Sequence, residues 1–380
     1  MVDMKIRKAL VLGSFWFCAS FCIGAPVANT FLPVVPVPAE YSVNESQLRM
    51  VSDFVTLLGR QTGFIPSIMI GSETADVRLK TVTSLPDEAY NLIVTSEKIL
   101  IESAGDAGFF YALQSLRQLL PAGVVEGKKQ NRTMEYKIPV MTVNDRPRFG
   151  YRGLMIDVSR YFMPKHNLLK IIDVASFLKI NKIHLHLVDD NGWRLEIKKY
   201  PRLTQVGAWR VKRDEPFPNR RNQEEGEPVS VGGYYTQNDM REIIRFAALR
   251  QIEIIPEIEM PAHTNSSLAA YPELACPVVD RFIGVLTGIG GKNSEIVYCA
   301  GNDSVFSFLE DVIDEVSELF PSKYIHLGGD EASKVNWAKC PKCRARMEAE
   351  HIEHTEELQS YFMTRMSNYV RSKGKEVMGW

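Results

Sequence analysis

Two adjacent acids, Asp330 and Glu331, are the residues of this sequence best suited to chemistry. They follow Gly328 and Gly329, which let the backbone turn tightly and approach a ligand closely. Two carboxyls that flank one scissile glycosidic bond usually stand about 5–9.5 Å apart and come from different strands. Neighbouring acids instead suit a division of labour, in which one delivers a proton and the other holds a substrate group.

Other residues suited to chemistry follow further apolar segments that are predicted to be strands. They are Asp157, Asp189, Asp190, Glu257, Glu259, His263 and Trp380. The carboxyl ends of parallel strands meet on one face of a barrel, so we expect these side chains to lie together there. A single acid at such a place is as often a helix N-cap, and the prediction therefore rests on the coincidence of several.

The elements that must position these residues alternate along the second part of the chain. Predicted strands cover residues 154–158, 183–188, 252–255, 324–327 and 376–378, and predicted helices cover residues 168–178, 239–249, 305–319 and 356–371. Repeated βα units predict a parallel sheet. A doubly wound sheet is the competing architecture, but no glycine-rich phosphate turn follows any of these strands. We therefore expect an α/β fold with a (β/α)8 TIM-type barrel.

The beginning of the chain predicts an export signal. Residues 1–25 combine a basic start with an apolar stretch and then small residues, which is typical of a signal peptide. The apolar stretch, residues 9–23, is shorter than the about 20 residues of a membrane-spanning helix, which disfavours an anchor. We expect a periplasmic or extracellular protein with no membrane span, and a lipid anchor at Cys18 or Cys22 stays open.

A small α/β domain is predicted between the signal and the barrel. Its predicted elements are a helix at 48–60, strands at 91–95 and 99–103, and a helix at 108–120. We place this domain at residues 26–145 and the barrel at residues 146–380.

Charge and cysteine content limit the partners. The formal net charge is -1, too little positive charge to neutralise a phosphate backbone, so nucleic acid is not expected as a partner. The cysteines beyond the signal are Cys276, Cys299, Cys340 and Cys343. The first two are candidates for a loop disulfide, and the last two form a lone CxxC whose sequence-local further ligands are His351 and His354. A local disulfide or plain thiols are favoured over zinc, and neither a metal nor a cofactor is expected.

Several longer motifs resemble glycoside hydrolase family 20, the β-N-acetylhexosaminidases. They are YRGLMIDVSR at 151–160, HLHLVDDNGWR at 184–194, GYYT at 233–236, IPEIEMPAH at 255–263 and HLGGDE at 326–331. The resemblance implies removal of terminal N-acetylglucosamine or N-acetylgalactosamine from oligosaccharides or glycoconjugates, with the substrate's own acetamido group as nucleophile. It implies that Glu331 acts as general acid and then base, and that Asp330 orients the acetamido group.

The same resemblance implies further binding residues. Arg152 matches an arginine that binds sugar hydroxyls, and Asp189 matches a pocket position. His263 matches a position that steadies the acid, and Trp380 matches an aromatic wall around the acetamido methyl group. Two departures stand out: the family usually reads DMPGH where this chain has Glu259 to His263, and its barrels have eight strands where five are predicted here. We therefore expect a barrel that is truncated at its C-terminal side.

Two other functions stay open at this stage. His184 and His186 have the spacing of the metal-binding HxH pattern of amidohydrolase barrels, although satisfied barrel histidines are the simpler interpretation. A non-catalytic carbohydrate-binding paralogue or fragment is the second alternative, and turnover of an N-acetylglucosaminide separates it from an enzyme.

Overall fold

The computed structural model describes residues 50, 77–119, 139–217 and 220–380. The signal segment, Cys18, Cys22 and nearly all of the predicted helix at 48–60 lie outside the described residues. The chain divides into two compact units, the first comprising Met1–Gly150 with Phe177–Lys179 and the second Tyr151–Ser176 with Ile180–Trp380. Among the described residues, no helix combines the length and the apolar character needed to cross a membrane.

The described residues of the first unit include a four-stranded sheet and a helix that packs on it. Its strands are β1 (Val77–Thr81), β2 (Tyr90–Val94), β3 (Ile99–Ser103) and β4 (Met141–Asp145), and its helix is α1 (Asp106–Gln118). The strand order is β1-β3-β2-β4, with β1 parallel to β3 and the other pairs antiparallel. Every second residue of β2 and β3 is buried, and these side chains form one apolar core with Phe109, Leu113 and Leu116 of the helix.

The second unit contains a parallel sheet of five strands. The strands are β5 (Gly153–Asp157), β6 (Lys182–His186), β11 (Glu253–Glu257), β12 (Tyr324–His326) and β13 (Glu376–Met378). They are neighbours in the order β5-β6-β11-β12-β13, and every pair is parallel. Four short strands pair in twos between them: β7 (Val188–Asp189) with β8 (Gly192–Trp193), and β9 (Trp209–Arg210) with β10 (Val231–Gly232).

Helices separate the strands of this sheet. They are α2 (Lys165–Phe177), α3 (Arg202–Gln205), α4 (Gln237–Ala248), α5 (Asn265–Ala270), α6 (Asp303–Leu319), α7 (Val335–Lys339), α8 (Pro341–Ala349) and α9 (Thr355–Ser372). Local sequence explains their starts. Thr236 and Asp239 form a reciprocal capping box on α4, and the Asn302 side chain accepts a hydrogen bond from the Ser304 N–H at the start of α6. The predicted α/β barrel class is confirmed.

Strand register brings the strand ends into one line. Asp157, His186, Glu257, His326 and Met378 pair directly across β5, β6, β11, β12 and β13. Because side chains of parallel strands in register point the same way, this row places several polar groups at one edge of the sheet. The loops that continue from these ends carry the remaining candidate residues.

Candidate active site

The turn after β12 depends on backbone conformations that favour glycine. Gly328 and Gly329 have φ of 66° and 104°, and Glu331 also has a positive φ, 50°. A Cβ on Gly328 would lie 1.8 Å from Oε1 of Glu259, and that oxygen accepts a 2.9 Å hydrogen bond from the Gly329 N–H. Glu259 therefore holds the turn that presents the two adjacent acids.

Glu259 is fully buried beside other acids. Burial, and then the neighbouring charge of Glu257, raise the pKa of Glu259 well above its usual value. The sequence departure at this position thus supplies a buried carboxyl that reaches the Gly329 backbone.

His263 lies between two pairs of carboxylates. Its Nδ1 is 3.5 Å from Oδ1 of Asp189 and 3.6 Å from Oδ2 of Asp190. On the other side, its Nε2 is 3.8 Å from Oδ2 of Asp330 and 3.5 Å from Oε2 of Glu331. Burial alone would lower the pKa of His263, but the carboxylates of Asp189 and Asp190 outweigh it and raise the pKa to about 11. The ring is therefore a cation that faces the adjacent acids.

Glu257 is the centre of a buried histidine network. Its Oε2 is 2.7 Å from Nε2 of His184 and is also hydrogen-bonded to Nδ1 of His186. Its Oε1 lies 3.1 Å from Nδ1 of His326 and accepts a 3.0 Å hydrogen bond from Nε1 of Trp380. Burial opposes ionisation, yet these histidines hold the pKa of Glu257 far below its usual range. Glu257 is thus a buried carboxylate that fixes four rings.

This network accounts for the HxH pattern. His184 and His186 each use a ring nitrogen to contact Glu257, and His186 also lies 2.8 Å from Oδ2 of Asp189 through its Nε2. Burial lowers the pKa of His186, but its bonds to Asp189 and then Glu257 raise it to about 10. A protonated imidazole with both nitrogens bonded is a poor metal ligand. The geometry therefore favours structural histidines over an amidohydrolase site.

Arg160, rather than Arg152, is the arginine at this end of the sheet. Its guanidinium lies 2.6 Å from Oδ2 of Asp189 and 3.2 Å from Oδ2 of Asp157. Arg152 instead precedes the first residue of β5, and its backbone N–H donates to Oδ1 of Asn181. The structure does not bring Arg152 to the cluster, because the two ends of a five-residue strand are on opposite edges of the sheet. Arg160 is therefore the arginine that contacts Asp189, while Arg152 lies at the other end of β5.

The hairpin that carries Asp189 and Asp190 is held by the buried side chain of Arg194. Its guanidinium donates to backbone carbonyls of Val158, Ser159, Asn191, Ala208 and Gly233. Burial lowers the pKa of Arg194 to about 9. Because this pKa is still above neutral pH, the guanidinium stays cationic there. Such a hub fixes the hairpin without adding a side chain to the cluster itself.

The two adjacent acids differ in their surroundings. The Asp330 side chain is 38% exposed and that of Glu331 is 77% exposed. Oδ1 of Asp330 is nevertheless buried and has no hydrogen-bond partner among the described residues. The exposed acid can meet a leaving group, while the unpaired oxygen of its neighbour can accept a hydrogen bond from a substrate.

Trp380 contacts the turn that precedes these acids, since its backbone N–H donates a 3.0 Å hydrogen bond to the Gly328 carbonyl. Its ring centroid is 4.8 Å from that of His326 and 5.4 Å from that of His184. The residue is 61% exposed, while its indole nitrogen is anchored by Glu257. Of the six sequence-predicted site residues, Asp189, His263, Asp330, Glu331 and Trp380 therefore lie around this end of the sheet, and Arg152 lies at the other end.

Two family models and several curated relatives match this chain. The model described as glycosyl hydrolase family 20, catalytic domain, matches residues 149–380, and that of domain 2 of the same family matches residues 34–146. A β-hexosaminidase of Porphyromonas gingivalis is 40% identical over 317 residues, which are 82% of this chain and 38% of that protein. One from Vibrio furnissii is 36% identical over 82% of this chain and 48% of that protein.

Solved structures of β-N-acetylhexosaminidases are also similar to this chain. A β-N-acetylhexosaminidase of Bacteroides fragilis is 36% identical with a TM-score of 0.72, over 89% of this chain and 61% of that chain. A GH20 exo-β-N-acetylglucosaminidase of Vibrio harveyi, solved with N-acetylglucosamine, is 30% identical with a TM-score of 0.74, over 89% of this chain and 50% of that chain. The chain thus spans less than two thirds of the length of each of these four proteins. On the catalytic-domain match, which covers more than half of its residues, this chain belongs to glycosyl hydrolase family 20.

Proposed function

We propose that the protein is an exo-acting β-N-acetylhexosaminidase that removes terminal N-acetylglucosamine or N-acetylgalactosamine with retention of configuration. The observation that carries the proposal is the adjacent pair Asp330 and Glu331 beside cationic His263, with Oδ1 of Asp330 buried and unpaired among the described residues. The relatives named β-hexosaminidase support the substrate class.

In the first step, the protonated carboxyl of Glu331 donates its proton to the glycosidic oxygen as the bond between that oxygen and C1 breaks. The carbonyl oxygen of the substrate's acetamido group forms a new bond to C1, which gives an oxazolinium ion. Oδ1 of Asp330 accepts a hydrogen bond from the N–H of the acetamido group. The carboxylate also stabilises the positive charge of the oxazolinium ring. An enzymic nucleophile is not needed, which accounts for two acids that are neighbours in the chain rather than residues of different strands on opposite sides of the bond.

In the second step, the carboxylate of Glu331 takes a proton from water as the water oxygen bonds to C1. The bond between C1 and the oxazolinium oxygen breaks, and the acetamido group is restored. Both displacements invert C1, so the sugar is released with its original configuration. His263 favours the first step because its cationic ring, 3.5 Å from Glu331, stabilises the carboxylate that remains after proton donation.

The neighbouring residues position the sugar. We assign Asp189 and Arg160 to the binding of sugar hydroxyls, since their charged groups are held together at 2.6 Å and offer both acceptors and a planar donor fork. Trp380 offers an exposed ring face for the acetamido methyl group, and its bond to Glu257 fixes the ring orientation.

We also propose that the protein is exported to the periplasm or the medium. The support is the basic, apolar and small-residue order of residues 1–25. Detection of the mature amino terminus in the exported fraction tests this, and retention of residue 1 on cell-associated protein contradicts it.

A chromogenic N-acetyl-β-glucosaminide tests the activity. We expect turnover by the unaltered protein, and Glu331→Gln should lower kcat by about 10²- to 10⁴-fold, the range for loss of a general acid. Binding of N-acetylglucosamine should survive, because the substituted side chain keeps its size. The matched control is Glu318→Gln, the same change at an exposed residue of α6, which should keep full activity. Unchanged turnover in Glu331→Gln would exclude the acid role. Sugar binding without turnover by the unaltered protein would favour a carbohydrate-binding function.

A further inference from the structure

Four buried cysteines meet in the second unit, in the connections that follow β11 and β12. Cys276 follows the 3-10 helix Pro272–Leu274, and Cys299 is next to Tyr298, which forms an isolated β-bridge with Ala275. Cys340 and Cys343 are at the start of α8. All four are at most 1% exposed, and their sulfurs lie within 4.8 Å of one another. The CxxC pair therefore finds its partners far along the chain rather than in the nearby histidines.

The sulfur spacing has the dimensions of a tetrahedral metal site. The Sγ distances are 3.8 Å from Cys276 to Cys343 and 3.7 Å from Cys299 to both Cys340 and Cys343. Four thiolates at about 2.3 Å from a central zinc ion occupy tetrahedral corners about 3.8 Å apart. A disulfide instead requires a sulfur separation of about 2.05 Å. The observed distances fit one shared centre better than two separate disulfides.

We propose that Cys276, Cys299, Cys340 and Cys343 bind one structural Zn²⁺ ion through four thiolates. Soft sulfur ligands in tetrahedral geometry select zinc over the hard cations calcium and magnesium. Four protein ligands also close the coordination shell, so the ion has no open position for a substrate or water. The site is thus structural, and the proposed hydrolysis does not involve it.

Local backbone structure supports thiolates at these positions. Cys340 is the N-cap of α8 and Cys343 is in its first turn, where the helix dipole and free N–H groups favour negative charge. A Cβ on Gly301 would lie 2.1 Å from the carbonyl carbon of Lys342 and 2.4 Å from the nitrogen of Cys343. The segment that carries Cys299 therefore packs backbone against backbone on the CxxC turn, an approach that glycine permits.

The site joins two loops that carry the adjacent acids and their histidine. Cys276 and Cys299 belong to the connection between β11 and α6, which also carries His263. Cys340 and Cys343 belong to the connection between β12 and α9, which also carries Asp330 and Glu331. A bound ion therefore ties the two connections together. Removal of the ion should lower the stability of the folded protein, because metal binding to the folded site contributes directly to the free energy of folding.

Metal analysis of the purified 380-residue chain tests the proposal. Without chelator, we expect about one zinc per chain by elemental mass spectrometry, the stoichiometry of one closed site. Cys299→Ser and Cys343→Ser should each lose the zinc and lower the Tm. The control is Ser267→Ala, which removes a hydroxyl bonded at 2.6 Å to Tyr298, the neighbour of Cys299, but leaves the four sulfurs in place. This variant should keep its zinc.

Two further measurements apply to the unaltered chain and do not depend on a variant that folds. Replacement of zinc by Co²⁺ should give the visible absorption of a tetrahedral cobalt thiolate, and alkylation after unfolding in chelator should label Cys276, Cys299, Cys340 and Cys343. Two disulfides among these residues in metal-free protein would overturn the proposal, and so would stoichiometric iron in place of zinc. None of these readouts uses catalytic activity, so their outcome is separate from that of the proposed hydrolysis.

Discussion

Nε2 of His263 lies 3.5 Å from Oε2 of Glu331, while Nδ1 of the same ring faces Asp189 and Asp190. The imidazole thus connects a buried acidic pair to the exposed acid that we assign to proton transfer. Because the buried pair raises the pKa of His263 to about 11, the ring stays charged throughout the neutral range. The charge of the acid after proton donation is therefore compensated before the reaction begins.

The raised pKa of His263 makes part of the folding stability dependent on pH. The folded protein holds this proton more tightly than the unfolded chain, so the contribution is complete below pH 6.5 and is lost as pH rises towards about 11. We expect the free energy of unfolding of the unaltered protein to be higher than that of His263→Gln. The difference should be largest at the acidic end of this window. Urea unfolding of both proteins across the window measures the difference. A gap that widens with increasing pH would contradict the assignment.

Arg160 and Arg152 give a direct comparison of the two ends of one strand. Arg160→Lys should raise KM by about tenfold or more, because lysine loses the planar fork and a charge-assisted hydrogen bond contributes about 1.5–3 kcal/mol. Arg152→Lys should leave KM nearly unchanged, since Arg152 precedes β5. Steady-state kinetics on the same substrate measure both. A larger effect at Arg152 would restore the role that the sequence suggested for it.

Gly328 should tolerate substitution poorly. In Gly328→Ala the new Cβ would lie 1.8 Å from Oε1 of Glu259 at a φ of 66°, so the turn that carries the adjacent acids must shift. We expect a loss of at least about 1–3 kcal/mol of stability and a fall in kcat. Gly374→Ala is the matched control, because it has a φ of 73° with no atom within 4 Å of the added Cβ. It should cost about 1 kcal/mol of stability through backbone strain alone and keep kcat. Equal effects on kcat would show that the contact with Glu259 is unimportant.

Glu257 should contribute more to stability than an exposed acid of the same sheet. Glu257→Gln leaves the buried histidines around it without their carboxylate, and loss of one partner of a buried charge pair typically costs about 3–5 kcal/mol. Glu376→Gln on β13 removes only a surface ion pair with Lys323, which is expected to contribute about 0–1 kcal/mol. Denaturant unfolding compares the two variants, and similar losses would contradict the central role of the buried carboxylate.

The strongly patterned elements were predictable from the sequence. Each of the five parallel strands was anticipated to within a few residues, because buried runs alternate with amphipathic helices. β1 and β4 were not anticipated, since both are edge strands of the first sheet and β1 has no alternation of buried residues. The short helices α7 and α8 also escaped prediction, because their few turns give little periodic signal.

The site was predictable where strand ends determine it. Asp189, His263, Asp330, Glu331 and Trp380 follow predicted strands, and the structure brings them together. Strand direction distinguishes Arg152 from Arg160, because Arg152 precedes β5 and Arg160 follows it. Site residues of a barrel lie at the carboxyl ends of its strands, which favours Arg160.

The meeting of the four cysteines was not predictable from spacing. Cys276 and Cys299 are linked to Cys340 and Cys343 through tertiary structure, which a single sequence does not encode locally. The CxxC motif alone favoured a local disulfide or plain thiols over zinc, and only the fold of the second unit brings Cys276 and Cys299 to it.

The dependence of rate on the substrate's amide tests the central claim most directly. Fluorine on the N-acetyl group makes the carbonyl oxygen a poorer nucleophile without changing the leaving group. For aryl glycosides carrying acetyl, fluoroacetyl, difluoroacetyl and trifluoroacetyl groups, we predict that kcat/KM falls with each added fluorine. A rate that is insensitive to fluorination would contradict attack by the acetamido group and would require a nucleophile from the enzyme.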